Sequence, residues 1–108
     1  MEKKLETART YVRLREETDY AKLREILADD MHFLGGRGED ITGADEFIKH
    51  LEKNPPSGSK WEEPIEDEDG KSVILLRKMG VKFLTITIFC KFGFNDEGKI
   101  NYVHQGRK

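Results

Sequence analysis

The sequence predicts an α+β domain in which three N-terminal helices pack on a strongly curved antiparallel sheet. Apolar residues recur every three or four positions through much of residues 3–53, which is the period of amphipathic helices. After the helix-breaking segment at residues 54–59 the apolar period changes to two, which indicates strands. Short turns join these strands and favour antiparallel pairing. The predicted element order is therefore α-α-β-α-β-β-β-β.

The first two helices are predicted from their apolar spacing and from one cap. Residues 3–16 contain good helix formers and neither Gly nor Pro, and their spacing places Tyr11 and Arg15 on the same face. Asp19 is a favourable capping residue, so a second helix is expected at residues 19–28.

A short strand, a loop and a third helix complete the first half. Residues 31–34 predict the strand, and the glycine-rich segment 35–38 predicts the loop. Thr42 and Asp45 resemble a capping box, which would open a third helix at residues 43–53.

The second half predicts four strands joined by tight turns. Alternation of apolar with polar residues, β-branched side chains and turn dipeptides carry this prediction. The predicted strands are residues 61–65, 71–78, 81–92 and 99–105. The predicted turns are residues 66–70, 79–80 and 95–98.

Composition limits the functions that the chain can have. Its 108 residues predict one domain, residues 1–108, and the net charge of −2 gives no electrostatic argument for nucleic acid or an anionic membrane surface. The single cysteine excludes an internal disulfide, and no apolar run approaches the length of about 18 residues that spans a bilayer. With no apolar signal segment at the start, we expect a cytoplasmic protein.

Several segments together resemble the nuclear-transport-factor-2-like superfamily, also called SnoaL-like or ketosteroid-isomerase-like. They match in order and with the expected gaps over the whole chain. The segments are residues 10–12, Asp19, residues 26–33, residues 41–48 and residues 92–100. The resemblance implies a cystatin-like α+β cone, with a pocket between the helices and the concave face of the sheet. It also implies a homodimer that forms through the convex face.

Strand alternation within such a cone predicts which side chains face the pocket. The set is mostly apolar, with few ionisable groups, so we expect an apolar small molecule as ligand, without a cofactor or a metal ion. The predicted pocket residues are Tyr11, Met31, Phe33, Phe47, Ile86, Ile88, Cys90 and Phe92.

Most of the catalytic set of ketosteroid isomerase is missing from the matching positions. The oxyanion-binding tyrosine of that enzyme matches Tyr11, whereas the aspartate base falls near Gly35 and the protonated aspartate falls near Cys90. Without a base no proton leaves the carbon next to a carbonyl, so we predict that this protein is not a ketosteroid isomerase. Tyr11 is the only catalytic candidate, and packing is its favoured role.

The remaining candidates favour structural roles. Alternation places His32 and His104 on the convex side, and His50 is expected at a solvated position of the third helix. No metal-binding spacing joins these histidines. Arg37, in the glycine-rich loop, could meet an anionic ligand at the mouth of the cone. Convex-side residues of the longest strand motivate the dimer; they are Thr85, Thr87, Phe89 and Lys91.

Three functions remain open from the sequence. The first is a non-catalytic dimeric module that binds a small hydrophobic ligand. The second is an enzyme of the isomerase, dehydratase or cyclase kind, which would combine Tyr11 with a residue such as Asp30 or Gln105. The third is a module that binds other proteins, for which an apolar patch left exposed after dimerisation would be the sign.

Overall fold

The computed structural model describes residues 1–55, 60–81 and 83–107. Three helices and seven strands form one α+β domain. The helices are α1 Glu2–Glu16, α2 Tyr20–Glu25 and α3 Ala44–Lys53. The strands are β1 Leu27–Leu34, β2 Asp40–Thr42, β3 Lys60–Trp61, β4 Ile65–Glu66, β5 Val73–Val81, β6 Leu84–Phe94 and β7 Ile100–Arg107. Residues 56–59 of the predicted breaker, Lys82 of a predicted strand and Lys108 of the predicted domain lie outside the described residues.

All seven strands belong to one sheet, whose order is β2-β1-β7-β6-β5-β3, with β4 also paired to β5. The pair β1–β7 is parallel and the other pairs are antiparallel. The prediction of an entirely antiparallel sheet is therefore wrong at one pair. The cause is that β1 and β7 are distant in the chain, and a long connection with a helix permits the parallel arrangement that a hairpin forbids.

The boundary between α2 and β1 differs from the prediction. The second helix ends at Glu25 rather than near residue 28, and Leu27 already pairs with Ile100 of β7. The backbone N–H of Ile100 donates to the carbonyl of Ile26 at 2.9 Å. Pairing with β7 therefore overrides the helix propensity of the Leu-Ala segment, as tertiary contacts commonly do.

The third helix begins as predicted but with a different cap. Gly43, at φ 101°, is the N-cap residue, and no side chain accepts a capping hydrogen bond there. Thr42 lies in β2 instead, so the predicted capping box with Asp45 is wrong. Strand β2 was not expected from the sequence. It is three residues long and pairs with β1 alone, so no periodicity marks it.

Two of the predicted strands have different limits. The strand expected at residues 61–65 is divided into β3 and β4, with Pro64 between them. The turn expected at Met79-Gly80 lies further along, because the β5–β6 pairing continues to Val81 opposite Leu84. Gly80 takes part in the backbone hydrogen-bond ladder of this hairpin instead of forming its turn. The other two turns are confirmed, and each ends in a glycine with positive φ.

One part of the interior is a packed hydrophobic core between the helices and the concave sheet face. Tyr11 of α1 and Phe92 of β6 meet edge to face, with ring centroids 4.9 Å apart. Helix α3 contributes Phe47, and β1 contributes Met31. We call this region, around these four side chains and Cys90, the packed end of the cone.

Candidate ligand-binding site

A cavity of about 520 Å³ occupies the other part of the interior, which we call the cavity end. Its wall comes from α1, the β1–β2 loop, the end of α3, and strands β5, β6 and β7. Along β6 the concave-side residues change from cavity wall at Ile86 and Ile88 to core at Cys90 and Phe92. The same strand therefore serves both ends of the cone.

The structure divides the eight predicted pocket residues between the two ends. Phe33, Ile86 and Ile88 line the cavity. The other five are at most 1% exposed and lie in the core rather than in the cavity wall; they are Tyr11, Met31, Phe47, Cys90 and Phe92. Alternation identifies the concave face, but it does not tell how far along each strand the core extends.

The cavity wall carries more charge than the sequence analysis expected. Four arginines, one glutamate and one histidine are among the lining residues; they are Arg15, Arg37, Arg77, Arg107, Glu39 and His50. Two signals were present in the sequence. Arg15 shares the buried face of α1 with Tyr11, and Arg77 alternates with the core residues Val73 and Leu75 on β5.

Arg15 and Arg77 are the most buried of these charges, each only 9% exposed. Both guanidinium groups lie over the ring of Trp61, at 6.0 Å and 5.1 Å from its centroid. No carboxylate within the described ranges lies at ion-pair distance from Arg15. Burial lowers the pKa of the Arg77 guanidinium, and the charge of Arg15 lowers it further. Both side chains remain cations at neutral pH.

Tyr11 and Cys90 lie beneath the cavity as neutral groups. Burial raises the pKa of Tyr11 to about 12 and that of Cys90 to about 11. The Cys90 thiol donates to the side-chain oxygen of Gln105 at 3.6 Å, whereas the hydroxyl of Tyr11 has no hydrogen-bond partner among the residues described. The only catalytic candidate of the resemblance is therefore sealed inside the core.

Glu39 and His50 form a polar pair on the wall of the cavity. The Oε2 atom of Glu39 lies 3.9 Å from Nε2 of His50, and its Oε1 accepts the backbone N–H of Arg37 at 2.8 Å. A Cβ on Gly35 would lie 2.6 Å from Oε1 of Glu39. The carboxylate of Glu39 therefore occupies the space beside Gly35, where the resemblance implies a base.

His50 is not the solvated residue that the sequence analysis expected. Its side chain is 22% exposed, and its ring lies 5.3 Å from that of Phe33. The side-chain amide of Asn54 lies 3.4 Å from its Nδ1 atom. His50 follows Phe47 by three residues on α3 and so shares its inward side. Helical spacing from Phe47 was the signal that could have identified it.

The other candidates are distributed between the two faces of the sheet. Gln105 and Arg37 line the cavity, while Asp30 is exposed on β1. His32 contacts Asp40 across the β1–β2 pair, and His104 meets the ring of Phe89 edge to face at 5.2 Å. The convex placement of both histidines agrees with strand alternation.

The acidic turn after β4 is neutralised within the chain. Lys91 lies 3.1 Å from Asp67 and 3.6 Å from Asp69. Hydrogen bonds from the backbone of Lys71 and Ser72 hold the pKa of Asp69 far below its usual value. In the part of the chain that the structure describes, no group of three His, Cys, Asp or Glu side chains is arranged to hold a metal ion. None of the described helices is long and apolar enough to span a bilayer.

Solved structures match the fold of this chain. No family model matches, and no curated protein matches by sequence. A steroid delta-isomerase from Pseudomonas aeruginosa has a TM-score of 0.81 and 18% identity, over 100% of this chain and 81% of that one. An NTF-2 like protein of unknown function from Burkholderia xenovorans LB400 has a TM-score of 0.80 and 18% identity, over 99% and 84%.

A third match is the epoxide hydrolase/cyclase-like enzyme SalBIII, which has a role in pyran ring formation in the polyether salinomycin. Its TM-score is 0.77 at 19% identity, over 99% of this chain and 92% of that one. Identities this low show a common fold. The two of these proteins that are named for an activity differ in it, so the fold alone does not indicate an activity.

Proposed function

We propose that this chain, which has the nuclear-transport-factor-2-like cone fold, is a small-molecule-binding domain that uses the cavity end of the cone. The observation that carries the proposal is the cavity itself. Its volume of about 520 Å³ is within the range of ligand pockets, which is about 300–1,000 Å³. Apolar side chains of Phe33, Ile86 and Ile88 stand beside polar groups in its wall, as ligand sites require.

Binding without catalysis is the form of the proposal that we favour. Tyr11, the one residue that the resemblance offers for chemistry, is 0% exposed and does not line the cavity. A side chain with no access to the ligand cannot donate a hydrogen bond to a reacting oxygen. The single cysteine keeps the cytoplasm as the proposed location.

Binding is tested with Nile red, a neutral dye whose fluorescence rises in apolar surroundings. We expect the wild-type protein to bind it, and Ile88→Trp, which fills the cavity, to lose that binding. Lys49→Trp, at an exposed position of α3 outside the wall, is the matched control and should bind normally. Equal binding by both variants, with circular dichroism showing that both are folded, would contradict the proposal.

An acid–base enzyme of the isomerase, dehydratase or cyclase kind is the second candidate. One observation favours it: Glu39 brings a carboxylate to the space beside Gly35, and His50 lies next to it. Together they could accept and return a proton from a ligand in the cavity. The base that is missing at Gly35 would then be supplied by Glu39, four residues later in the loop.

This second candidate is tested by proton exchange on a simple enone. In D2O, wild-type protein should accelerate deuterium incorporation at the γ-carbon of cyclohex-2-enone, as followed by NMR. Glu39→Gln should abolish the acceleration. Glu46→Gln, which removes an exposed carboxylate from α3, is the control. Exchange at the uncatalysed rate in wild type would leave binding as the only function.

Dimerisation through the convex face is a further part of the proposal. Tyr102 lies between His32 and His104, at ring distances of 6.5 Å and 6.2 Å, and Phe89 continues the row. Such a row of half-buried rings suits a self-complementary interface with a second copy. The interface is tested by sedimentation at micromolar concentration, where we expect a dimer that Phe89→Glu dissociates. Phe83→Glu is the control at the exposed β5–β6 turn, and a wild-type monomer would refute the dimer.

A further inference from the structure

We propose that the ligand of the cavity is an organic carboxylate, whose charged group is bound by Arg15 and Arg77 and whose apolar body lies along β6. This inference rests on the proposed binding function and names the class of ligand. It replaces the apolar small molecule that the sequence analysis expected.

The first step is the burial of Arg15 without an acidic partner. Arg15 lines the cavity and is only 9% exposed. Buried charges in proteins are normally paired, because the lost hydration must be replaced. Among the residues described, no carboxylate reaches Arg15, and the face of Trp61 at 6.0 Å is at the outer limit of a cation–π contact. An anion in the cavity would supply the missing partner.

The second step is the second guanidinium beside the first. Arg77 also lies over Trp61 and also lines the cavity, and the charge of Arg15 acts on it. Two cations that are both largely buried and held at one aromatic ring repel each other. A bound carboxylate relieves this repulsion, because each of its oxygens can accept from a guanidinium fork.

The third step is the positive charge of the cavity wall as a whole. Arg37 and Arg107 also line the cavity, and among the described residues of the lining Glu39 is the only acidic one. The carboxylate of Glu39 is engaged by the backbone N–H of Arg37 and lies near His50. The chain as a whole has a net charge of −2, so the positive wall does not reflect its average composition. A cavity of this sign attracts and retains anions.

The fourth step is the apolar surface next to the arginines. Ile88 of β6 pairs with Arg77 on one side and Arg107 on the other, so an apolar side chain lies between two arginines. Ile86 and Phe33 extend this surface within the cavity. An inorganic anion would leave it exposed to water, whereas an organic acid with a ring or chain would cover it.

A matched pair of ligands tests the inference. Naphthalene-2-acetic acid carries the carboxylate, and naphthalene-2-acetamide has the same shape without the charge. We expect the acid to bind the wild-type protein at least tenfold more tightly than the amide, measured by displacement of Nile red. Arg15→Met should lose this preference, because it removes one of the two charges that bind the carboxylate, whereas methionine retains most of the side-chain length. Arg13→Met removes an exposed cation from the same helix and should keep the preference.

Each outcome decides one of the two proposals. If Nile red and both ligands fail to bind folded wild-type protein, binding in the cavity is refuted together with the ligand class. If acid and amide bind equally well, the carboxylate proposal fails while the binding function stands. If naphthyl phosphate binds more tightly than the acid, the site takes phosphate and the assignment to carboxylates is wrong. Should Arg15→Met not fold, Arg77→Met replaces it in the same measurement, with the same expectation.

Discussion

The two ends of the cone are built by the same elements with opposite results. Helix α1 sends Tyr11 into the packed end and, one turn later, Arg15 into the cavity wall. Strand β5 does the same with Leu75 and Arg77. A residue's side of the sheet therefore decides whether it faces the interior. Its position along the element decides whether it meets other side chains or a space for a ligand.

The largest expected difference between the two ends is in the effect of truncation. Phe92→Ala should lower the free energy of unfolding by about 3–5 kcal/mol, because it removes a ring from a closely packed core. Ile88→Ala should lower it by less than about 1.5 kcal/mol, since its side chain already borders empty space. Urea unfolding measures both. Equal losses would mean that the cavity end is packed as tightly as the core.

Alkaline pH should destabilise the packed end of the cone. The pKa of Tyr11 is raised from about 10 to about 12, and that of Cys90 from about 9 to about 11. The unfolded chain releases these protons first, so stability is intact below pH 9 and falls as pH rises through the folded values. The loss from Tyr11 alone is about 2–3 kcal/mol at pH 12, at 1.4 kcal/mol per unit.

Tyr11→Phe isolates this contribution. The variant should lose less stability than wild type between pH 10 and pH 12 in urea unfolding, because phenylalanine has no proton to release. Tyr20→Phe is the control, since Tyr20 is only partly buried. Identical alkaline profiles for wild type and Tyr11→Phe would show that the hydroxyl of Tyr11 is not held neutral by burial.

Much of the packed end could be predicted from the sequence, because its residues follow the periodic spacing of apolar side chains. Helical and strand periodicity identified Tyr11, Met31, Phe47 and Phe92 as interior residues, and burial confirms that they are. That rule counts apolar side chains, so it assigned the same residues to a pocket. Where their bulk fills the interior, no pocket can exist.

The cavity end could not be predicted in the same way. Arg15 and Arg77 have the same spacing as the interior residues of α1 and β5. Because arginine is rarely buried, sequence reasoning places such residues at the edge of the buried face rather than inside it. Glu39 reaches the cavity through the conformation of the β1–β2 loop, for which no periodicity exists. The parallel pairing of β1 with β7 likewise depends on contacts between distant segments.

Replacing the buried cation should stabilise the cavity end when no ligand is present. Arg15→Met removes a buried charge that no carboxylate of the described residues contacts, and it keeps most of the apolar contacts of the side chain. We expect the free energy of unfolding to rise by about 2 kcal/mol, since buried ionic groups replaced by apolar ones of similar size often gain stability. Urea unfolding of the ligand-free protein is the measurement, with Arg13→Met unchanged as control. A large loss of stability would mean that Arg15 is a structural residue.

The smallest expected effects on the free energy of unfolding come from removing the hydroxyl of buried Tyr11 or that of partly buried Tyr20. At pH 7, Tyr11→Phe should raise the free energy of unfolding by about 1 kcal/mol, because the buried hydroxyl of Tyr11 lacks a partner. Tyr20→Phe should lower it by about 0.5 kcal/mol, because the hydroxyl of Tyr20 donates to the carbonyl of Leu51 at 3.4 Å. The opposite signs distinguish a hydroxyl kept for packing from one that serves a contact. If Tyr11→Phe is instead destabilising, the hydroxyl of Tyr11 has a partner, and the guanidinium of Arg15, one turn along α1, is a group able to donate to it.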